Sequence, residues 1–206
     1  MRIAVMQASS RKDRNALLYE AVKNAAPGHE AVNFGVFPEE EASVTYVQTA
    51  LLAALLLNAG AVDFVVTGCS SGQGMMLACN HFPGVTCGYL PTPEDAFLFG
   101  RINDGNAASL PLGLGFGWSG EIRLKSTLEA LFREPFGIGY PPEDAARKRA
   151  DTEKLKRVGS LTRRDWKEIL PKLDRELLEG ALARKNAVDY LLRHGTNREL
   201  IDLLRD

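Results

Sequence analysis

Residues 61–83 read AVDFVVTGCSSGQGMMLACNHFP, and their order decides the fold. An apolar, β-branched run, DFVVTG (63–68), enters a turn that holds Gly68, Gly72 and Gly74, and GQGMMLACNH (72–81) follows with helical spacing. A strand that passes through a glycine turn into a helix is one unit of a parallel sheet. The same alternation recurs outward from it. RIAVMQ (2–7), HEAVNFG (29–35), GVTCGYL (84–90) and NAASLPLG (106–113) read as strands. NALLYEAVKNAA (15–26), TYVQTALLAALLLNAG (45–60), PEDAFLFGRIN (93–103) and SGEIRLKSTLEALFRE (119–134) read as helices. The expected fold class is α/β: a three-layer α/β/α sandwich around a five-stranded, mainly parallel, Rossmann-like sheet.

The helix over 45–60 is apolar nearly all round, so it is either buried under the sheet centre or packed against a second subunit. After Phe136 the character changes. GIGYPPEDAARKRADTEKLKRVG is polar, opens on glycine and proline, and has no strand-like run. This marks a boundary between an α/β domain, 1–136, and a helical C-terminal extension, 137–206. Within the extension, Ser160 or Thr162 would cap the helix of SLTRRDWKEIL, and Gly195 would end the one before it.

The 206 residues suffice for one well-buried domain with an appendage. A hydrophobic fraction of 45% with 25% charged residues argues against disorder, and a net charge of −1 gives no electrostatic case for nucleic acid or an acidic membrane. The opening MRIAVMQASS fits a first strand better than a secretory signal, and the longest apolar stretch is broken by Asn58, Gly60 and Asp63. Cys69, Cys79 and Cys87 lack paired metal spacing, and there are only three histidines. The expectation is a cytoplasmic protein with reduced thiols, no metal and no cofactor, whose partners are a small molecule and copies of itself.

In a parallel sheet, ligands bind at the carboxyl ends of the strands, where helix N-termini offer free amides. TGCSSGQGMM is such a loop. Its glycines let the backbone approach a ligand, and Ser70 and Ser71 offer hydroxyls to cap the helix or bind an anion. Cys69, at the positive end of the helix dipole, is favoured as a thiolate and suits a base or a nucleophile; the alternative is a small apolar filler at a strand end. Cys79 and Cys87 read as core residues. The G-C-S-S-G turn of residues 68–72 also matches a nucleophile elbow, which would make Ser70 a hydrolase nucleophile, although the chain is short for that fold. A dinucleotide fingerprint fails, because the first turn, MQASSRKDR, has no glycine.

This region resembles type B ribose-5-phosphate isomerases and galactose-6-phosphate isomerase subunits, which carry C-G-T-G-x-G-x-x-x-A-A-N-K after the third strand. Cys69, Gly72, Gly74, Ala78 and Asn80 fall in register, with Ser71 at the threonine. The family's H-N-D-x-N is similar to INDGN, residues 102–106. The resemblance covers roughly residues 1–140. It implies an aldose–ketose isomerase acting on a pentose- or hexose-class sugar or sugar phosphate through an enediolate. Cys69 would be the base and Ser71 the neighbouring hydroxyl, with Ser70, Gly72, Gln73 and Gly74 lining an anion hole. Asn103 would donate to that hole, Asp104 would touch substrate or organise the turn, and Tyr46 would lie over the sugar or in the core. Arg147 and Arg149 stand nearest to the family's phosphate-gripping arginines, which often cross a dimer interface, so a homodimer or higher homo-oligomer is implied.

Two departures limit the resemblance. Ile102 occupies the ring-opening histidine position, and isoleucine exchanges no proton. The Asp-His pair expected after the first strand is replaced by Ala8–Ser9–Ser10, with Arg11, Lys12 and Arg14 beyond it: either these cations bind substrate or they are solvated charges at a helix start. A binding module that kept the scaffold and lost its chemistry is the competing reading.

Overall fold

The structure, a computed structural model, describes residues 1–205. Five strands, β1 (Arg2–Gln7), β2 (Glu30–Asn33), β3 (Phe64–Cys69), β4 (Cys87–Tyr89) and β5 (Ala107–Pro111), form one all-parallel sheet in the order β2-β1-β3-β5-β4. Ten α-helices follow in chain order. α1 (Asn15–Ala25), α2 (Tyr46–Asn58), α3 (Gln73–His81), α4 (Pro93–Leu98) and α5 (Gly120–Phe132) connect or follow the strands. α6 (Ala145–Thr162), α7 (Trp166–Ile169), α8 (Arg175–Leu182), α9 (Lys185–His194) and α10 (Arg198–Leu203) make up the C-terminal segment.

Alternation along the central strands sorts side chains to two cores. Ile3 and Val5 of β1 and Phe64 and Val66 of β3 join α1, α4 and α5 on one face. Ala4, Met6 and Val65 join α2 and α3 on the other, together with residues of α7 to α10. The three-layer α/β/α arrangement and the helical C-terminal segment are as the sequence indicates.

The even apolarity of α2 comes from burial under the sheet, the first of the two arrangements expected for it, completed on the outer side by helices of the same chain. All eight residues from Thr49 to Leu56 are buried, with the sheet beneath, α3 alongside and α8 and α9 of the same chain over the outer side. Contact there is close: a Cβ on Gly180 of α8 would fall 1.9 Å from Gln48 Nε2, so a larger residue would have to displace that side chain from the first turn of α2. The expected caps in the extension also differ. Ser160 and Thr162 lie inside α6, and Asp165 caps α7 by accepting from the Lys167 amide at 3.2 Å. Gly195 does end α9, with its amide bonded to Leu191 O. α6 itself buries no residue and leaves Leu155, Val158 and Leu161 exposed. Among the described residues, no helix is long and apolar enough to cross a membrane.

Candidate active site

The chain runs from β1 outward to β2 and then crosses to β3 on β1's other side, so the carboxyl ends of β1 and β3 flank a topological switch point. Three loops meet there. The turn after β1 is a tight Ser9–Arg14 segment with a kink at Arg11 (φ −134°, ψ 34°). It is tied to the segment before α2: Ser9 N donates to Val44 O at 3.0 Å, and Val44 N donates to Ser9 Oγ at 2.7 Å. The loop after β5 closes on the glycine turn, where Gly113 N and Leu114 N both donate to Ser70 O, at 3.0 and 2.7 Å.

Cys69 is the last residue of β3, paired with Pro111, and is partly exposed. Its sulfur accepts a hydrogen bond from Gly72 N at 3.2 Å. That bond requires the chain to double back, and Gly72 does so at φ +79°. A Cβ there would meet the Tyr89 ring at 2.8 Å and Leu110 C at 2.9 Å, so the turn needs glycine twice over. Ser109 Oγ anchors it from β5 by donating to Gly72 O at 2.6 Å. Ser71 does not cap α3: Gly72 holds the N-cap position with no side-chain cap, while Ser71 Oγ accepts the Gln73 amide at 3.3 Å. Gln73 and Gly74 sit in the first helical turn, where amides have no intrahelical acceptor.

Tyr46 begins α2 after a capping box built by Thr45 and Gln48. Its ring lies beside Gly74, 3.5 Å from where a Cβ would stand, and the side chain is 44% exposed, so it forms a wall of the open turn. Thus Cys69, Ser70, Ser71, Gly72, Gln73, Gly74 and Tyr46 come together in one chain.

Asn103, Asp104, Arg147 and Arg149 do not join them. Val65 pairs with Ala107 and Cys69 with Pro111, so the segment before β5 lies at the amino end of the sheet. The strand alone separates the two ends by about 13 Å. Asp104, in the left-handed region at φ 50°, pairs with Lys156 of α6. Asn103 lines an open groove of about 1010 Å³ between α6 and the body, bordered also by Asn80, Thr86 and Trp166. Arg147 is held by Asp144 at 2.8 Å and Asp151 at 3.5 Å, and Arg149 donates to Ile138 O at 2.8 Å. Asn106 serves the turn: it accepts from Thr86 N at 2.8 Å and donates to Gly84 O at 2.7 Å.

The hydrolase reading of Ser70 finds no base. His29 contacts the N-terminus, His81 ends α3 with its ring on Leu77 O, and His194 stacks on Tyr190, with its carbonyl taken by Arg2 at the start of β1. All three belong to the end of the sheet opposite Ser70. Cys79 and Cys87 are buried as expected, and the proximity of the Cys79 thiol and then burial push Cys87 well above the ordinary thiol range. Among the described residues, no group of three His, Cys, Asp or Glu side chains is placed to hold a metal.

Sequence reasoning missed one site element. Arg184, between α8 and α9, reaches the loop after β2, donating to Gly35 O at 2.6 Å and pairing with Glu40. No local motif marks such a contact; only the fold creates it.

A Rossmann-like sheet with a cysteine–glycine turn at its switch point defines a class of α/β enzymes, and comparison with known proteins specifies it. The ribose/galactose isomerase family model matches residues 3–137, and the chain belongs to that family. A crystal structure of 4-deoxy-L-threo-5-hexosulose-uronate ketol-isomerase complexed with a tartrate is 39% identical, with a TM-score of 0.95 over 100% of this chain and 98% of that one. A ribose-5-phosphate isomerase from Vibrio parahaemolyticus is 38% identical, with a TM-score of 0.94 over the same shares. The type B enzyme of Trypanosoma cruzi, 23% identical, shares the fold over 78% of this chain and 99% of its own, with a TM-score of 0.64. No curated protein sequence matches. The chain is therefore a sugar isomerase, an intramolecular oxidoreductase of the aldose–ketose kind.

Proposed function

We propose that the chain interconverts the aldose and ketose forms of an open-chain sugar by enediolate proton transfer, with Cys69 as the base. The observation that carries the reading is the Gly72 N–H directed at Cys69 Sγ, at 3.2 Å, on a partly exposed thiol at the switch point. That contact fixes the sulfur at the mouth of the glycine turn, where a base has to stand. The thiolate takes the proton from carbon 2 of an aldose and electrons shift to the carbonyl oxygen at carbon 1; the thiol, whose proton exchanges with solvent during the lifetime of the enediolate, then protonates carbon 1, while the carbon 2 hydroxyl proton passes to the oxygen on carbon 1 and leaves a carbonyl at carbon 2. The developing oxygen charge is met by the amides at the start of α3 and by the Ser71 hydroxyl. Tyr46 forms a wall against the sugar.

The working unit is a homodimer or larger assembly in which Asn103, Asp104, Arg147 and Arg149 face the Cys69 turn of a second copy. Support comes from their placement at the opposite end of the sheet and from the exposed stripe of Leu155, Val158 and Leu161 on the adjoining α6. In this reading residues 1–136 form the catalytic domain and 137–206 the extension that shapes it, in a cytoplasmic protein.

The substrates named for the two similar structures are both anionic, a keto-uronate and a pentose phosphate. A panel of hexulose uronates, pentose 5-phosphates and neutral hexoses, assayed with wild type, Cys69→Ala and Ser70→Ala, tests the proposal. Interconversion lost with Cys69→Ala and kept with Ser70→Ala supports it; conversion unaffected by Cys69→Ala contradicts it.

A further inference from the structure

We infer that Arg11 and Arg14 form the subsite for the acidic group of the substrate, a carboxylate or phosphate oxyanion, on the same chain that supplies Cys69. This rests on the isomerase reading and specifies its substrate class, an anionic sugar.

Position comes first. Both residues lie in the turn after β1, beside the switch point. The Arg11 guanidinium lies beside Gly113 of the β5 loop, which closes on the cysteine turn: a Cβ on Gly113 would stand 3.1 Å from Arg11 Nη1 and 3.1 Å from Ser70 O. Glycine at 113 leaves that corner open. Arg14 stacks on Phe116 of the same β5 loop, its central carbon 4.3 Å from the ring centroid. Stacking fixes the guanidinium plane and leaves its edge for hydrogen bonding.

Charge comes second. Arg11, Lys12 and Arg14 are opposed within the turn by Asp13 alone. Asp13 Oδ2 accepts from Arg11 Nη2 and lies 3.4 Å from Arg14 Nε, so a single carboxylate oxygen already stands between the two guanidiniums. Asp13 is 54% exposed, and its side chain can swing away at small cost. Among the described residues, Arg11 Nε and Arg14 Nε have no hydrogen-bond partner although both atoms are buried. The side chains as wholes are 23% and 31% exposed, so their outer edges can exchange Asp13 for an incoming oxyanion. The arginines that the family resemblance nominated are occupied instead, Arg147 by two aspartates and Arg149 by a backbone carbonyl.

The test is binding of two non-reacting oxyanions, tartrate and inorganic phosphate, to the full-length protein by calorimetry at low salt. Variants are Arg11→Gln, Arg14→Gln, the double variant, Arg11→Lys and, as a distant surface control, Lys23→Gln, each checked by thermal melting. At least one anion should bind wild type, weaken about tenfold or more in each glutamine variant, recover in part with Arg11→Lys and be unchanged in the control. The preferred anion distinguishes a carboxylate from a phosphate subsite. In steady-state kinetics the glutamine variants should raise KM for anionic substrates and leave that for neutral sugars unchanged. Failure of both anions to bind wild type, or affinities unchanged in the double variant, would overturn the inference. That failure is separable from failure of the isomerase reading, because neither probe reacts and neither measurement involves Cys69 as a base.

Discussion

Arg184 and Glu40, 144 residues apart in sequence, form an ion pair at the carboxyl end of the sheet, with side chains only 11% and 26% exposed. Arg184 also donates to Phe34 O and Gly35 O, at 3.3 and 2.6 Å. Glu40 accepts from Phe37 N at 2.8 Å, and its backbone carbonyl takes Lys12 of the β1 turn at 2.9 Å. The C-terminal segment thereby fixes both the approach to Tyr46 and the turn bearing Arg11 and Arg14.

Arg184→Ala should lower stability by about 2 kcal/mol in urea unfolding at neutral pH, because it strands a half-buried carboxylate and two carbonyls. Burial raises the pKa of Glu40, but the hydrogen bonds from Arg184 and the Phe37 amide, with the charges of Arg184 and Lys12, outweigh it and hold the group below the usual glutamate range. A depressed folded-state pKa contributes stability above the unfolded value, about 4.3, and loses it as pH falls through the folded value. Glu40→Gln should therefore flatten the acid limb of the stability profile below about pH 4.3. An acid limb identical to wild type would contradict the assignment.

Iodoacetamide should modify Cys69 in the native protein and spare Cys79 and Cys87. The first is partly exposed and the other two are buried, with Cys87 held protonated. Peptide mass spectrometry after limited alkylation reads this directly. Equal labelling of Cys79 would mean that the α3 core opens on the reaction timescale.

Gly72→Ala should cost about 1–3 kcal/mol through its left-handed backbone and should reduce kcat more than the stability loss explains. The added methyl would meet Tyr89 and Leu110, shift the turn and withdraw the amide from Cys69 Sγ. Thermal melts paired with kcat separate the two effects.

Mixing inactive Cys69→Ala with inactive Asn103→Ala should restore activity after subunit exchange, since one site of each mixed dimer would pair an intact cysteine turn with an intact Asn103. Restoration absent in a mixture shown to exchange would rule out the shared site.

Much of the architecture was legible because strand and helix periods alternate cleanly up to Phe136. What covers α2 was not. Its outer face is met by α8 and α9, more than a hundred residues away, and their short amphipathic patterns do not name their target. The grouping of Asn103 with Cys69 failed in one chain for a reason the sequence did contain. A segment that follows a helix and precedes a parallel strand lies at the amino end of the sheet, opposite a segment that follows a strand. Arg101 was unmarked as well: it is fully buried between Phe97 and Phe136, with only Nη2 bonded, to Leu131 O at 2.9 Å, and no sequence rule anticipates a cation there.

The most direct measurement of the central claim is solvent deuterium incorporation at carbons 1 and 2 of a converted sugar, followed by NMR for wild type, Cys69→Ala and Cys69→Ser. The account predicts incorporation during turnover by wild type and a fall of about 10²-fold or more in both variants, with the fold intact. Exchange that persists at the wild-type rate in Cys69→Ala would contradict it.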